Sequence, residues 1–168
     1  MNTTSTAVFA SGESAASALV SATTTSGAAV AFADYPGNWA GSWHNNTFGS
    51  SGAATLAVTL DATGTKMTWT IAVQGNVFGG AAPPPETFTG VVNATGVTLS
   101  GTSVSFGNLL LTIDRNGAVS GSGTNLNNPN VSRFDFSGTW TQGGFNLTYT
   151  ATLTGGGTAS GTFQMNKQ

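Results

Sequence analysis

The sequence predicts an all-β fold, an antiparallel meander of about eight to ten strands closed into a barrel and preceded by an N-terminal extension. Three observations support this prediction. From Trp39 onward, apolar and polar residues alternate in short runs that turn residues separate, and no helical period of useful length intervenes. Charged residues make up only 6% of the chain, so few charges protect exposed strand edges, and closure removes such edges. A β-sandwich is the alternative.

Residues 1–36 form a distinct block that is rich in Ala, Thr and Ser. Within this N-terminal arm we expect a short helix over residues 13–22 and a strand over residues 28–33, with Val30 and Phe32 on one face. The block has neither the basic region nor the continuous apolar stretch of a secretory signal, and no run approaches the length of a membrane span. The β-domain is predicted to cover residues 37–168.

The first strand of this domain contains two tryptophans at the spacing that places them on one face. Trp39, Gly41 and Trp43 point one way along an extended chain, whereas Ser42 and His44 point the other way. We therefore expect this strand to close one end of an aromatic core.

The following strands show the same period of two. The clearest alternation places Met67, Trp69, Ile71 and Val73 on one face, after a turn at residues 61–64. Other inward-facing sets are Leu56, Val58 and Leu60; Phe88, Gly90 and Val92; Val97 and Leu99; Leu109, Leu111 and Ile113; Val119, Gly121 and Gly123; Phe134, Phe136, Gly138 and Trp140; Phe145, Leu147, Tyr149, Ala151 and Leu153; and Ala159, Gly161, Phe163 and Met165.

Turn and loop signals separate these runs. Residues 75–86 contain two adjacent glycines and three consecutive prolines, which cannot continue a sheet and predict a long surface loop beside Phe78. Asn116-Gly117 is the dipeptide most typical of a tight hairpin. Glycines on the inward faces, namely Gly41, Gly90, Gly121 and Gly138, are expected to relieve crowding at bends or to admit a neighbouring aromatic ring.

The Gly-x-Trp patterns Gly37-x-Trp39 and Gly41-x-Trp43 resemble the first strand of the calycins, the group that contains lipocalins, fatty-acid-binding proteins and avidins. Gly138-Thr139-Trp140 resembles the avidin form of the motif, although avidins carry it on their first strand. The resemblance implies an up-and-down barrel in which the tryptophan plugs the closed end. In lipocalins an arginine from a late strand packs over this tryptophan, and here the last strand offers Lys167.

The sequence offers few groups for chemistry. His44 is the only histidine, no Gly-x-Ser-x-Gly motif occurs, and the chain contains no cysteine. The acids show no spacing that pairs two carboxylates across a cleft, and Arg133 and Asp135 are expected to form a surface pair. We therefore predict no catalytic residue, no metal site and no cofactor, and we favour a function other than catalysis. Four Lys and Arg residues cannot form a basic face for nucleic acid.

Two functions remain as hypotheses, and we favour the first over the alternative. In the first, the protein is a structural or assembly subunit of an extracellular filament, a surface layer or a virion, and it forms homo-oligomers. The N-terminal arm would add as a strand to a neighbouring subunit, with Val30 and Phe32 as contacts. In the second, the protein is a calycin-like binder of a small hydrophobic ligand inside the barrel. The predicted ligand-binding residues are Trp39, Trp43, Trp69, Phe88, Trp140 and Tyr149.

Overall fold

The computed structural model describes residues 32–168, which form a closed barrel of ten antiparallel strands. Each strand pairs with the next along the chain, and β1 pairs with β10, so the predicted meander barrel is confirmed and the sandwich is not formed. The strands are β1 (Gly37–Asn45), β2 (Ser51–Leu60), β3 (Lys66–Val73), β4 (Glu86–Val92), β5 (Gly96–Ser103), β6 (Gly107–Asp114), β7 (Ala118–Thr124), β8 (Val131–Trp140), β9 (Gly144–Leu153) and β10 (Thr158–Lys167).

The chain enters the barrel through a single 3₁₀ turn, Phe32–Asp34. The strand predicted over residues 28–33 is therefore wrong at its described end. Phe32 is 5% exposed and Tyr35 is fully buried, because both rings turn back onto the barrel instead of continuing an extended chain. The predicted helix over residues 13–22 and the predicted contact residue Val30 lie outside the described residues.

Alternation along each strand separates an apolar interior from a hydroxyl-rich exterior. On β3, Met67 and Trp69 are buried, whereas Thr68 and Thr70 face outward and meet threonines of β4. The paired hydroxyl oxygens lie 3.2 Å apart for Thr68 and 2.8 Å apart for Thr70. Such cross-strand hydroxyl pairs contribute to the stability of the sheet.

Acidic residues fix two of the turns. The Asp61 carboxylate accepts hydrogen bonds from the backbone N–H groups of Thr65 and Lys66. The Thr63 hydroxyl also donates to it, and these bonds lower the pKa of Asp61 to about 2. In the turn between β6 and β7, the Asp114 carboxylate accepts from the backbone N–H groups of Asn116 and Ala118, and Gly117 has φ +79°. Both turns lie where the sequence predicts them.

The two ends of the barrel differ in packing. The chain enters β1 and leaves β10 at one end, called here the closed end, and the longest loop, between β3 and β4, lies at the opposite end, called here the mouth. All of the most completely buried large side chains lie at the closed end. They are Tyr35, Trp39, Met67, Val97, Ile113, Trp140 and Met165.

Candidate functional site

The barrel interior is filled at the closed end and hollow above it. A cavity of about 220 Å³ extends from Trp140 towards the β3–β4 loop. Every lining residue is aliphatic or aromatic. The lining residues are Trp43, Leu56, Trp69, Ile71, Val73, Val77, Phe78, Phe88, Leu99, Phe106, Leu109, Leu111, Phe134, Phe136, Trp140, Phe145, Leu147, Tyr149 and Phe163.

Burial along single strands shows the same change from filled to hollow. On β6, Ile113 near the closed end is 1% exposed, whereas Leu111 and Leu109, which point inward nearer the mouth, are only partly buried. Inward-facing residues would be fully buried if side chains filled the lumen. The space between them is therefore large enough for molecules bigger than water.

The floor of the cavity is a stack of aromatic rings. Trp140 packs face to face with Tyr35, with ring centroids 4.4 Å apart, and edge to face with Trp39 at 5.5 Å. The Tyr35 hydroxyl donates to the backbone oxygen of Trp140 at 3.0 Å. Burial of this hydroxyl raises the pKa of Tyr35 to about 12, with smaller contributions from Asp114 and Asp34. Trp39, a predicted lining residue, lies beneath this floor and does not line the cavity.

Two cationic side chains pack on aromatic rings at the closed end, beneath the floor. Lys167 Nζ lies 5.7 Å from the centroid of the Trp39 ring and donates to the backbone oxygen of Asp34 at 2.5 Å. Arg115 lies over the Phe32 ring in a similar way, at 4.6 Å. Both contacts place a positive charge on an aromatic face at the closed end. Lys167, the basic residue of the last strand, thus packs over Trp39.

Glycines let aromatic rings lie along the barrel wall. A Cβ on Gly121 would lie 2.3 Å from the Phe136 ring, and one on Gly90 would lie 2.7 Å from the Trp69 ring. Only glycine allows such an approach, so each ring covers a glycine instead of projecting into the lumen. Three glycine–ring contacts of this kind join residues that lie directly opposite each other on paired strands. They are Gly121–Phe136, Gly123–Phe134 and Gly161–Tyr149.

Phe78 of the β3–β4 loop stands at the mouth. Its ring centroid lies 6.0 Å from that of Phe134, 6.3 Å from Phe106 and 6.4 Å from Tyr149. Its backbone has φ +51°, which is rare for a residue other than glycine. A β-bridge between Val77 and Gly80 holds the tight turn that produces this conformation. The loop therefore contributes an aromatic side chain to the cavity.

The tryptophan indole nitrogens fall into two groups. Trp39 Nε1 donates to the backbone oxygen of Tyr35 at 3.0 Å, and Trp43 Nε1 donates to that of Gln74 at 2.8 Å. Trp69 and Trp140 are 5% and 1% exposed, and their Nε1 atoms have no acceptor within residues 32–168. The two tryptophans with unpaired N–H groups both line the cavity.

Of the residues predicted from sequence to bind a ligand, Trp43, Trp69, Phe88, Trp140 and Tyr149 all line this one cavity. Sequence reasoning did not select Phe78 or Phe163. Phe163 alternates with Gly161 and Met165 on the last strand, and that pattern was the available signal. Nothing local to Phe78 indicates that a loop residue reaches the lumen.

Charged residues lie outside the cavity. His44 is exposed on the outer face of β1, and Arg133 and Asp135 form the predicted ion pair on the outer face of β8. Residues 32–168 contain no cluster of three His, Cys, Asp or Glu side chains that could hold a metal ion. In the same residues, no helix has the length and hydrophobicity needed to cross a membrane.

Comparisons with known proteins identify the fold alone. The chain matches no protein-family model and no curated protein. It resembles the crystal structure of a protein of unknown function from the DUF3598 family, from Nostoc punctiforme, with a TM-score of 0.59 at 14% sequence identity. The match covers 83% of this chain and 49% of that protein, so the chain spans about half of its length. This protein is thus similar in fold to a member of a family whose function is unknown.

Proposed function

We propose that the protein is a calycin-like binder of a small hydrophobic ligand, which it holds inside the barrel. The observation that carries this proposal is the hollow lumen, lined only by aliphatic and aromatic residues, above a sealed aromatic floor. A protein whose barrel served only as a rigid unit would gain stability by filling that space with larger side chains. Here glycines at Gly90, Gly121 and Gly123 keep the rings against the wall and the lumen empty of side chains.

The energetics favour apolar ligands. Each square ångström of apolar surface removed from water contributes about 25 cal/mol, and a ligand within the lumen would be covered on all sides by aliphatic and aromatic groups. The closed end adds support for a calycin-like arrangement, because Trp39 plugs the barrel beneath the floor with a cation from the last strand over its ring.

The structural-subunit hypothesis stays a prediction, as does an extracellular, cell-surface or virion location. The arm on which it depends lies outside the described residues, except for its last part. In that part the Phe32 ring packs on its own barrel and is not free to contact a neighbouring subunit. No observation on residues 32–168 favours this hypothesis over ligand binding.

Ligand binding is tested by filling the cavity. Leu111 points into the lumen, and Leu110 beside it on the same strand is 48% exposed on the outer face. We expect the neutral solvatochromic dye prodan to bind the wild-type protein with a blue-shifted emission. Leu111→Trp should weaken that binding at least about tenfold, because the indole occupies the ligand's space. Fluorescence titration measures the affinity of prodan for the wild-type protein and for the variant.

The matched control is Leu110→Trp, which adds the same side chain one residue away but outside the barrel. It should bind prodan as the wild-type protein does. Thermal unfolding of both variants confirms that each is folded. Failure of the dye to bind the wild-type protein, or equal binding to folded Leu111→Trp, would contradict the proposal.

A further inference from the structure

We infer that the ligand is an uncharged molecule with a planar ring system, of the size of two fused six-membered rings, and that its face stacks on the rings of Phe134 and Phe136. This inference rests on the proposed function and adds the chemical class of the ligand. It depends on three features of the cavity, namely a flat aromatic surface that a ligand can reach, a lining without charge, and a volume of about 220 Å³.

Phe134 and Phe136 form a nearly flat aromatic surface on β8. Their ring planes differ by 22° and their centroids lie 5.7 Å apart. Each ring covers the glycine opposite to it on β7, Gly123 for Phe134 and Gly121 for Phe136, so one side of this surface rests on backbone. Because both side chains line the cavity and are only partly buried, a ligand in the lumen can reach their rings.

A planar aromatic ligand makes the fullest contact with this surface. Stacked rings gain stability beyond the burial of area, because each ring is negative on its faces and positive at its edge. A puckered saturated ring has no such charge distribution and brings fewer atoms into contact with a flat wall. The opposite wall is β3, five strand steps from β8 in either direction, which contributes Trp69, Ile71 and Val73 to the lining. A planar ligand can therefore lie with one face on β8 and the other towards β3.

The lining excludes a charged ligand. No Lys, Arg, His, Asp or Glu lines the cavity, and the two cations at the closed end pack on rings beneath the floor. Tyr149 is the one titratable residue of the lining, and burial raises the pKa of its hydroxyl, so it remains neutral. A carboxylate or an ammonium group in the lumen would lose its hydration and find no opposite charge.

The volume of the cavity sets the size of the ring system. An apolar cavity of about 150 Å³ accommodates benzene. The cavity of this protein, at about 220 Å³, leaves room for a second ring fused to the first. The inferred ligand class is therefore that of neutral bicyclic aromatic compounds.

The ligand class is tested with three molecules built on the same fused-ring skeleton. Naphthalene is planar, cis-decalin is its saturated and puckered counterpart, and naphthoate adds a carboxylate. Their inhibition constants are measured by displacement of prodan from the wild-type protein. Those of the two hydrocarbons are corrected for their octanol–water partition coefficients, which removes the difference in hydrophobicity between them.

On the corrected scale we expect naphthalene to bind about two- to tenfold more tightly than decalin, the range that an aromatic pair provides beyond buried area. Without any correction, naphthoate should bind at least about tenfold more weakly than naphthalene, because its carboxylate loses hydration in the lumen.

Variants assign the preference to Phe134 and Phe136. Phe134→Leu and Phe136→Leu each keep an apolar side chain and remove a ring, and the double variant should lower the corrected ratio of decalin to naphthalene inhibition constants at least about twofold. The matched control is Phe48→Leu, the same substitution at a residue that is 67% exposed and does not line the cavity, so that ratio should keep its wild-type value. Each ratio is internal to one variant, which separates it from changes in stability.

The outcomes separate the two proposals. If neither prodan nor either hydrocarbon binds the folded wild-type protein, the proposed function itself fails. If decalin binds as tightly as naphthalene on the corrected scale, or naphthoate binds as tightly as naphthalene, ligand binding stands and the inferred ligand class is overturned. An unchanged ratio in the folded double variant would overturn the role of the two phenylalanines, and the single variants provide the same comparison if the double variant does not fold.

Discussion

The four tryptophans of this chain have different roles, and the partner of each indole nitrogen distinguishes them. Trp39 lies beneath the cavity floor with a satisfied N–H group, and Trp43 is a wall residue anchored to Gln74. Trp69 lies in the wall and Trp140 in the floor, and neither indole nitrogen has an acceptor among residues 32–168. The alternation of the sequence predicted which way these side chains point. It did not predict their partners, because a carbonyl such as that of Gln74 is brought near only by closure of the barrel.

Because of Tyr35, the contribution of the floor to stability should depend on pH in the alkaline range. Its pKa is raised from 10.0 to about 12 by burial, so the folded protein holds the phenol proton more tightly than the unfolded chain does. Stability from this group is complete below pH 10 and is lost as the pH rises towards 12. Tyr35→Phe should cost about 1 kcal/mol at neutral pH through the lost hydrogen bond to Trp140.

The measurement is the free energy of unfolding by urea from pH 7 to pH 11. The difference between the wild-type protein and Tyr35→Phe should be constant up to pH 10 and narrow above it. Tyr149→Phe serves as the comparison. It removes a phenol whose pKa burial also raises but it keeps Tyr35, so this variant should still lose stability above pH 10. A difference that stayed constant to pH 11 would show that the Tyr35 hydroxyl does not titrate as argued.

At the scale of the strands, the pairing of a glycine with an aromatic ring decides whether the barrel is hollow. Gly90 and Gly121 belong to the four inward-facing glycines predicted to relieve crowding at bends or to admit a neighbouring ring, and the structure places Trp69 and Phe136 over them. Gly41 and Gly138 instead lie against backbone atoms of the neighbouring strand. Sequence alone could not separate these cases, since the residue opposite a glycine depends on the strand register. A bulge between Val131 and Arg133 shifts that register on β8.

Gly123→Ala tests the role of these pairs. The three atoms nearest to a Cβ at this position all belong to the Phe134 ring, the closest at 2.0 Å, so the ring must move away from the wall. We expect a loss of about 1–3 kcal/mol in the free energy of unfolding and weaker binding of prodan, since the displaced ring enters the lumen. Urea unfolding and dye titration provide the two values.

Gly101→Ala is the matched control for this change. Gly101 also lies on a strand, but a Cβ there meets no other atom within 4 Å, so both measured values should stay close to those of the wild-type protein. Equal behaviour of the two alanine variants would refute the claim that the approach of Phe134 to Gly123 shapes the cavity.

At the scale of the whole molecule, the sequence predicted the closed meander correctly, and residues just before the predicted β-domain also pack into the core. The boundary at residue 37 coincides with the start of β1, but Phe32 and Tyr35 from the preceding block complete the floor. Composition could not reveal this, because two aromatic rings in an Ala-rich and Thr-rich segment leave no periodic pattern. Their burial depends on Trp140, 105 residues away from Tyr35 in the chain.

Two truncated chains test this completion of the floor. A chain that begins at Phe32 retains both rings, whereas a chain that begins at Pro36 removes them and exposes Trp140. The chain that begins at Pro36 should be less stable than the chain that begins at Phe32 by about 3–5 kcal/mol or more, the cost of removing a large buried aromatic side chain. Thermal or urea unfolding compares them, and equal stability would contradict the role assigned to Phe32 and Tyr35.

The chain that begins at Phe32 also allows a test of self-assembly. Size-exclusion chromatography of the full chain and of the chain that begins at Phe32 tests whether the N-terminal arm links subunits, without disturbing the floor. Loss of an oligomer on removal of residues 1–31 would support the structural-subunit hypothesis. A monomer in both cases would argue against it.

The ends of the described segment, residues 32–168, determine which way the mouth faces when the protein is attached to a support. The described chain enters beside Tyr35 and leaves at Lys167, both at the closed end, so the mouth lies at the opposite pole of the molecule. The barrel can be joined to a surface, a carrier protein or an affinity matrix next to Tyr35 or next to Lys167. In either case its mouth would face away from the attachment. Immobilised protein should exchange ligands with the surrounding solution as freely as protein in solution does.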